Sequence, residues 1–191
     1  MFSRIIANFR YRFLLSKVKP EIIGYKDVTG QRVNSSGASN MTHISNRKNV
    51  EIGEHVFIGH FNYIDGFKNV KIGKGCQVTN YVSILTHSSH HTVRFPGFED
   101  SEGFENHAVM TSGPVSIGEY SYIGPHVVIM PGTKIGKGCI ISAYSYVKGN
   151  IPDFSIVRGI PAKIVGDTRT SDEALMQQYP ELSKYYFNPG K

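Results

Sequence analysis

Aliphatic residues recur every six positions along the second half of the chain, at Ile117, Ile123, Ile129, Ile135, Ile141 and Val147. Four positions after each of the first five stands Ser121, Val127, Thr133, Cys139 or Ser145, side chains that are mostly small. Glycine follows the aliphatic residue at Gly118, Gly124 and Gly136. Six residues is neither one helical turn nor two, so no helix gathers this pattern on one face. The period predicts a solenoid of short strands and turns, in which each coil stacks its aliphatic residues on those of the next. The same step appears earlier, at Ile52, Ile58 and Ile64 and again at Ile72, Val78 and Ile84. The step between Ile64 and Ile72 is eight, so two extra residues bulge within 66–69.

The pattern then stops. From Ile84 to Ile117 is 33 residues, of which 87–114 fit no hexapeptide. The interval contains THSSHHTVRFPGFEDSEGFENH, with four histidines, four acidic residues and Phe95, Phe98 and Phe104. That is too aromatic for a linker. A long loop in a compact domain is usually functional or disordered, and this one is expected to fold over a site and carry acceptor specificity.

The ends read differently. Residues 1–20 form a basic amphipathic pattern, with Ile5, Ile6, Phe9, Phe13 and Leu14 on one face and Arg4, Arg10, Arg12 and Lys17 elsewhere. Such a helix packs across the open end of the solenoid or lies on an anionic membrane through residues 1–19, the first reading being favoured. Residues 21–46 read as a lead-in or degenerate first coil. After Val147 a last imperfect coil runs to Val165. Ser171 then reads as the N-cap of a short helix through about Gln178, with one further turn after Pro180 and a solvated tail at 188–191. One domain is expected, with a lead-in at 1–48, the solenoid at 49–165 and a helical cap at 166–191.

Composition changes this picture little. The chain has 191 residues, 19% of them charged, and 20 glycines, which suits strands and turns better than a helical bundle. A net charge of +6 points to an anionic partner without choosing among nucleic acid, membrane surface and phosphorylated cofactor. Cys76 and Cys139 occupy the small inward position of a hexapeptide and read as core filler. No apolar run is long enough to span a membrane and no signal-peptide pattern is visible, so a cytoplasmic location is expected, with the inner-membrane surface as the alternative.

The six-step repeat, the stretch SYIGPHVVIMPGTKIGKGCIISAYSYVKGNIP and the terminal VRGIPAKIV resemble the hexapeptide-repeat acyltransferases. More narrowly, they resemble the sugar O-acetyltransferase group, which includes galactoside, maltose and polysaccharide-modifying enzymes. The resemblance covers roughly 49–165. It implies an all-β fold, a left-handed parallel β-helix, and a homotrimer with acetyl-CoA sites between neighbouring subunits. It also implies a catalytic histidine just after the coil that precedes the loop. The group's pattern of a histidine, two residues and a His-His pair appears as His87-Ser88-Ser89-His90-His91, which puts the general base at His87. A neutral imidazole suits that task, because its pKa lies near operating pH and a sugar hydroxyl is otherwise a poor nucleophile. With both substrates bound together, direct transfer needs no acyl-enzyme.

By the same resemblance, Asn62, Asp65, His90 and His91 are expected at the acceptor. Asp65 either accepts a sugar hydroxyl or steadies His87, with a plain turn beside Gly66 as the competing reading. The donor is expected along Tyr122, Gly124, Pro125, Ser142, Ala143, Lys148 and Gly149, with Arg158 and Lys163 near the nucleotide phosphates. Tyr122 stands where many relatives have Trp, so an indole donor is lost. The spacing of His43, His55, His60, His87, His90, His91, His107 and His126 does not match a three-histidine zinc site, as in carbonic anhydrases of similar fold, so no metal is expected. The function implied is acetylation of a sugar hydroxyl, in a bacterial surface polysaccharide or its precursor, without a nucleic-acid partner. N-acetylation of a nucleotide-linked amino-sugar and a non-catalytic scaffold are the alternatives.

Overall fold

A computed structural model describes residues 19–94 and 110–186. The amphipathic pattern at 1–18, the loop aromatics Phe95, Phe98 and Phe104, and the tail at 188–191 lie outside the described residues.

The described chain winds over three parallel sheets, taking one strand of each in turn. The first face carries Arg32–Ser39, Phe57–Ile58, Gln77–Val78, Tyr122–Ile123, Ile140–Ile141 and Ser155–Gly159. The second carries His43–Ser45, Tyr63–Asp65, Ser83–Ile84, Val128–Ile129 and Tyr146–Val147, and the third Val50–Ile52, Val70–Ile72, Val115–Ile117, Lys134–Ile135 and Asn150–Ile151. Register keeps like on like: Ile64 pairs with Ile84, Ile84 with Ile129 and Ile129 with Val147. These side chains and their counterparts Ile58, Val78, Ile123 and Ile141 are wholly buried. Each contributes about 1.5–3 kcal/mol of burial, which is why a six-residue step is enough to specify the coil.

The small positions turn the corners. Ser121 accepts the Cys139 N–H at 3.1 Å and donates to the Gly136 carbonyl at 2.9 Å, and Ser145 donates to the Ser142 carbonyl at 2.7 Å. Cys76 and Cys139 fill the same kind of position; burial pushes both thiols up, that of Cys76 to about 11. Glycine serves coil stacking at Gly118, where a Cβ would stand 2.5 Å from the backbone of Gly136 and Lys137.

The solenoid takes in residues ahead of 49. Arg32–Ser39, His43–Ser45 and Val50–Ile52 make a full coil whose inward sites on the first face are Ser36 and Ala38, too small and polar to show as a hydrophobic step. The Ser36 hydroxyl donates to Gly53 O at 2.8 Å and accepts from Val56 N at 3.0 Å. Antiparallel strands cover both edges of the first face, Ile22–Lys26 against Arg32–Ser39 and Ala162–Asp167 against Ser155–Gly159. The C-terminal helix spans Thr168–Gln178, starting before the expected Ser171. Asp167 is the cap, accepting from Arg169 N at 2.9 Å, while the Ser171 hydroxyl bonds back to Thr168 O at 2.7 Å. A 3-10 turn at Pro180–Lys184 follows. Among the described residues no helix is long and apolar enough to cross a membrane.

The long interval leaves the solenoid between the second and third faces. Its base is a two-stranded antiparallel ribbon, His87–Ser88 against Thr111–Ser112. His87 therefore starts the loop from a paired strand.

Candidate active site

Asp65 ends the strand Tyr63–Asp65, one residue past the inward Ile64, and the two extra residues of that corner fold its neighbours around it. The Oδ1 atom accepts from the Phe67 N–H at 3.0 Å and the Ser45 hydroxyl at 3.3 Å. Oδ2 accepts from the Thr86 N–H at 3.0 Å and from His87 Nδ1 at 2.6 Å, with the Thr86 hydroxyl 2.9 Å away. Thr86 also accepts from the Lys68 N–H at 2.9 Å, which ties the bulged corner to the base of the loop.

Asp65 is only 1% exposed. Burial pushes its carboxyl up, but the Thr86 and Phe67 amides, the Thr86 hydroxyl and His87 together outweigh it and hold the group below the ordinary carboxylate range. An ionised carboxylate only accepts, so His87 Nδ1 carries the proton of that bond and the neutral ring keeps its lone pair on Nε2. Phe67 packs against the imidazole, with centroids 4.6 Å apart and planes at 45°. The ring is thus held at one edge and one face, while its side chain remains 36% exposed. A basic nitrogen in a fixed tautomer at a solvent-facing corner is what general-base catalysis requires.

Other expected acceptor residues lie elsewhere. Asn62 is buried: its amide donates to Gly59 O at 3.0 Å and Thr79 O at 2.8 Å, and its oxygen accepts from Val82 N at 2.7 Å. It holds a coil corner together, with its amide bonded to backbone groups on both sides. Asp65, with both oxygens spent inside, likewise has no capacity left for a sugar hydroxyl. His90 and His91 sit just beyond the ribbon with centroids 4.0 Å apart. Ser88 Oγ lies 2.8 Å from His90 Nδ1, and Arg94 donates to His90 O and to His91 Nδ1, both at 2.7 Å.

The expected donor residues divide between two corners. Tyr122 is exposed on the first face, and Gly124, Pro125, Ser142 and Ala143 follow at its corner with the second. Gly124 is buried, and a Cβ there would lie 2.7 Å from Ala143 N, so this glycine serves coil stacking. Arg158 and Lys163 are exposed and pair across the terminal hairpin that extends the first face. Lys148 and Gly149 instead follow Val147 at the corner of the second and third faces, on the His87 side. The width of the second face separates His87 from the rest of the set.

One feature at the corner of the first and second faces escaped the sequence reading. Phe61, Tyr81, His126 and Tyr144 form a stacked file, with centroids 5.3, 4.8 and 4.7 Å apart and planes within 16°. All four have positive φ. The signal that finds them is an aromatic ring three positions after each inward residue of the first face, Ile58, Val78, Ile123 and Ile141. Thr86 was also missed, a threonine being unremarkable without its neighbours. Among the described residues no three His, Cys, Asp or Glu side chains converge as on a metal ion.

Residues 114–149 match the family model described as bacterial transferase hexapeptide (six repeats). The galactoside O-acetyltransferase of Escherichia coli K12 is 32% identical over 129 residues, 65% of this chain and 57% of that protein. A protein of Mycobacterium tuberculosis named as a probable acetyltransferase is 31% identical over 136 residues, 70% of this chain and 42% of that protein. The chain thus spans about half the length of these curated relatives. Among solved structures, a hexapeptide-repeat acetyltransferase of Vibrio cholerae complexed with acetyl coenzyme A superposes with a TM-score of 0.60 at 26% identity, over 71% of this chain and 69% of that one. AntD, an N-acyltransferase of Bacillus cereus, superposes with a TM-score of 0.57 over 78% of this chain and 89% of that one; at 16% identity this is a likeness of fold alone. With its six-residue period and its three parallel sheets, the chain carries the bacterial transferase hexapeptide repeat over 114–149 in a fold similar to that of hexapeptide-repeat acetyltransferases.

Proposed function

We propose that this chain transfers the acetyl group of acetyl-CoA to a hydroxyl of a saccharide, with His87 as general base. The observation that carries this reading is the 2.6 Å contact between His87 Nδ1 and the buried, ionised Asp65, which leaves Nε2 directed away from it. Nε2 takes the hydroxyl proton as the sugar oxygen bonds to the thioester carbonyl carbon. The resulting imidazolium is stabilised by Asp65 and returns that proton to the sulfur as the carbon–sulfur bond breaks. The products are an acetyl ester and free CoA, and the enzyme ends as it began. Asp65 is a positioning residue here: it touches neither substrate and acts through the imidazole.

The donor fits the other corner. Arg158 and Lys163 offer two exposed cations for phosphates, and Tyr122 with the aromatic file offers a surface for the apolar arm. Because one chain holds its base and its main donor positions on opposite edges of the second face, the site is complete only when a neighbour contributes one of them. A homotrimer supplies that arrangement. The likeness to a galactoside O-acetyltransferase and to a hexapeptide-repeat acetyltransferase complexed with acetyl coenzyme A supports a sugar acceptor and this donor. A surface polysaccharide or its precursor is the acceptor proposed.

Thiol release from acetyl-CoA across a panel of saccharides tests the reading, with native protein beside His87→Ala. Release that requires both an acceptor and His87 is the expected result. Full activity in the variant would remove His87 from its role, and absence of both release and CoA binding would leave only a scaffold.

A further inference from the structure

Thr86 is the residue through which the parts of the His87 corner meet. On the second face the residues two positions beyond the inward Ile64, Ile84, Ile129 and Val147 are Gly66, Thr86, Pro131 and Gly149, so of these four coils only that of Ile84 places a hydroxyl there. Thr86 is wholly buried, and each of its polar groups is engaged. The amide donates to Asp65 Oδ2 at 3.0 Å, and the hydroxyl lies 2.9 Å from Oδ2 and 2.9 Å from the Asp65 carbonyl oxygen. Oγ1 accepts the Lys68 N–H at 2.9 Å, and the Thr86 carbonyl accepts the Gly113 N–H at 2.9 Å. A hydroxyl has one proton to give, and with Lys68 on the oxygen both acceptors within reach belong to Asp65. Thr86 thus supplies two of the three groups at Oδ2, the third being His87 Nδ1 at 2.6 Å. Ser45 and the Phe67 amide serve the other carboxylate oxygen. Lys68 lies in the bulged corner and Gly113 just past the returning strand Thr111–Ser112. One residue therefore joins the carboxylate, the bulge and the base of the loop to the imidazole that follows it in the chain.

We infer that Thr86 is a positioning residue for His87, holding Asp65 Oδ2 at the ring edge through its amide and hydroxyl and tying that contact to the base of the loop. This rests on the transferase reading and adds a residue to it. A buried oxygen that accepts from several fixed donors cannot swing without leaving one of them unpaired, which is costly away from water. The carboxylate is therefore presented to Nδ1 before any substrate arrives, and Thr86 acts on the reaction only through Asp65 and the ring. Thr86→Val keeps the amide and the outline of the side chain, removes the hydroxyl and leaves the Lys68 amide unpaired. Thr86→Ser keeps the hydroxyl.

The test uses the full chain carrying Thr86→Val, Thr86→Ser or His87→Ala. With acetyl-CoA and the best acceptor of the saccharide panel, Thr86→Val should lower kcat roughly three- to tenfold and leave KM within about twofold, while Thr86→Ser stays within about twofold of native protein. In the His87→Ala background, Thr86→Val should change the residual rate by less than about twofold. Two readouts need no substrate. Native His87 should show one tautomer in its 15N ring resonances, protonated on Nδ1, whereas Thr86→Val should show a mixture and Thr86→Ser the native pattern. The 13C carboxyl resonance of Asp65 should begin to titrate at higher pH in Thr86→Val than in native protein, since burial, which raises the group, then faces one donor fewer. A merely structural threonine would lower the melting temperature and leave the tautomer, the carboxyl titration and the kcat of the folded fraction unchanged, and that result would overturn the inference. Equal losses with and without His87, or a Thr86→Ser variant as slow as Thr86→Val, would overturn it too. Absence of acetyl transfer by native protein to any acceptor would remove the transferase reading, and the tautomer and carboxyl readouts would still decide whether Thr86 positions the ring.

Discussion

The corners beyond Ile64 and beyond Ile129 and Val147 share one frame and part company at the next residue. In the regular coils the residue after the inward aliphatic is Met130 or Lys148, set on paired strands with a tight turn behind it. After Ile64 it is Asp65, followed by two extra residues and faced by Thr86 and His87. At the regular corner beyond Ile129, Thr133 donates to the Met130 carbonyl at 2.6 Å. At the irregular corner every polar atom of the carboxylate is satisfied, and one partner is an imidazole whose second nitrogen has no partner among the described residues. Regularity builds the rod, and a single departure from it makes the corner on which the proposed chemistry rests.

Removing the free nitrogen should have the largest effect. His87→Ala should lower turnover by about 10²–10⁴-fold, the usual contribution of a general base, with CoA binding kept. Calorimetric CoA titration beside the kinetics would show the two effects separating. Emptying the irregular corner comes next: Asp65→Ala leaves the Thr86 and Phe67 amides and the His87 ring without their acceptor and should cost about 3–5 kcal/mol in denaturant unfolding. A regular corner should lose somewhat less, and only stability. Ile129→Ala, at a site with no exposure, should cost about 3 kcal/mol while each folded molecule keeps its turnover.

Acid sharpens the comparison. The folded Asp65 carboxyl titrates below its ordinary 3.8, so its stabilisation is full above that value and is lost as pH falls through the lower folded value. Melting temperature should therefore drop more steeply below pH 4 in native protein than in Asp65→Asn. The smallest effect belongs to the outer side of the third face, where the Glu51–Lys71 pair is solvent-exposed. Glu51→Gln should change stability by less than about 1 kcal/mol.

The rod was legible because stacking forces a side chain of one type into each inward position, and that repetition survives in one dimension. Where an inward site takes Ser36 or Ala38, the step vanishes and the segment reads as a degenerate first coil or a lead-in, although it is fully wound. Asp65 was visible as a break in the pattern beside an insertion, and His87 as the start of a loop with a recognisable spacing. Their contact was one of three readings open for Asp65, and the sequence could not choose among them, since the contact joins residues 22 apart through a fold in space. Asn62 shows the opposite failure: three residues from Asp65, it suits an acceptor site by type and position, yet its amide is consumed by three backbone groups. The helix cap slipped from Ser171 to Asp167 because either residue type can cap, and the terminal strand Ala162–Asp167 settles which one arrives in place.

The claim at the centre is that Asp65 acts through His87. A double-mutant cycle in kcat/KM, with Asp65→Asn, His87→Ala and both together, measures that dependence directly. Asp65→Asn should slow native protein by about ten- to a hundredfold, as removal of an orienting partner does, and should cost almost nothing further once His87 is alanine. Equal losses in the two backgrounds would mean that Asp65 contributes independently of the imidazole, and the pairing would then explain the fold of this corner without explaining its chemistry.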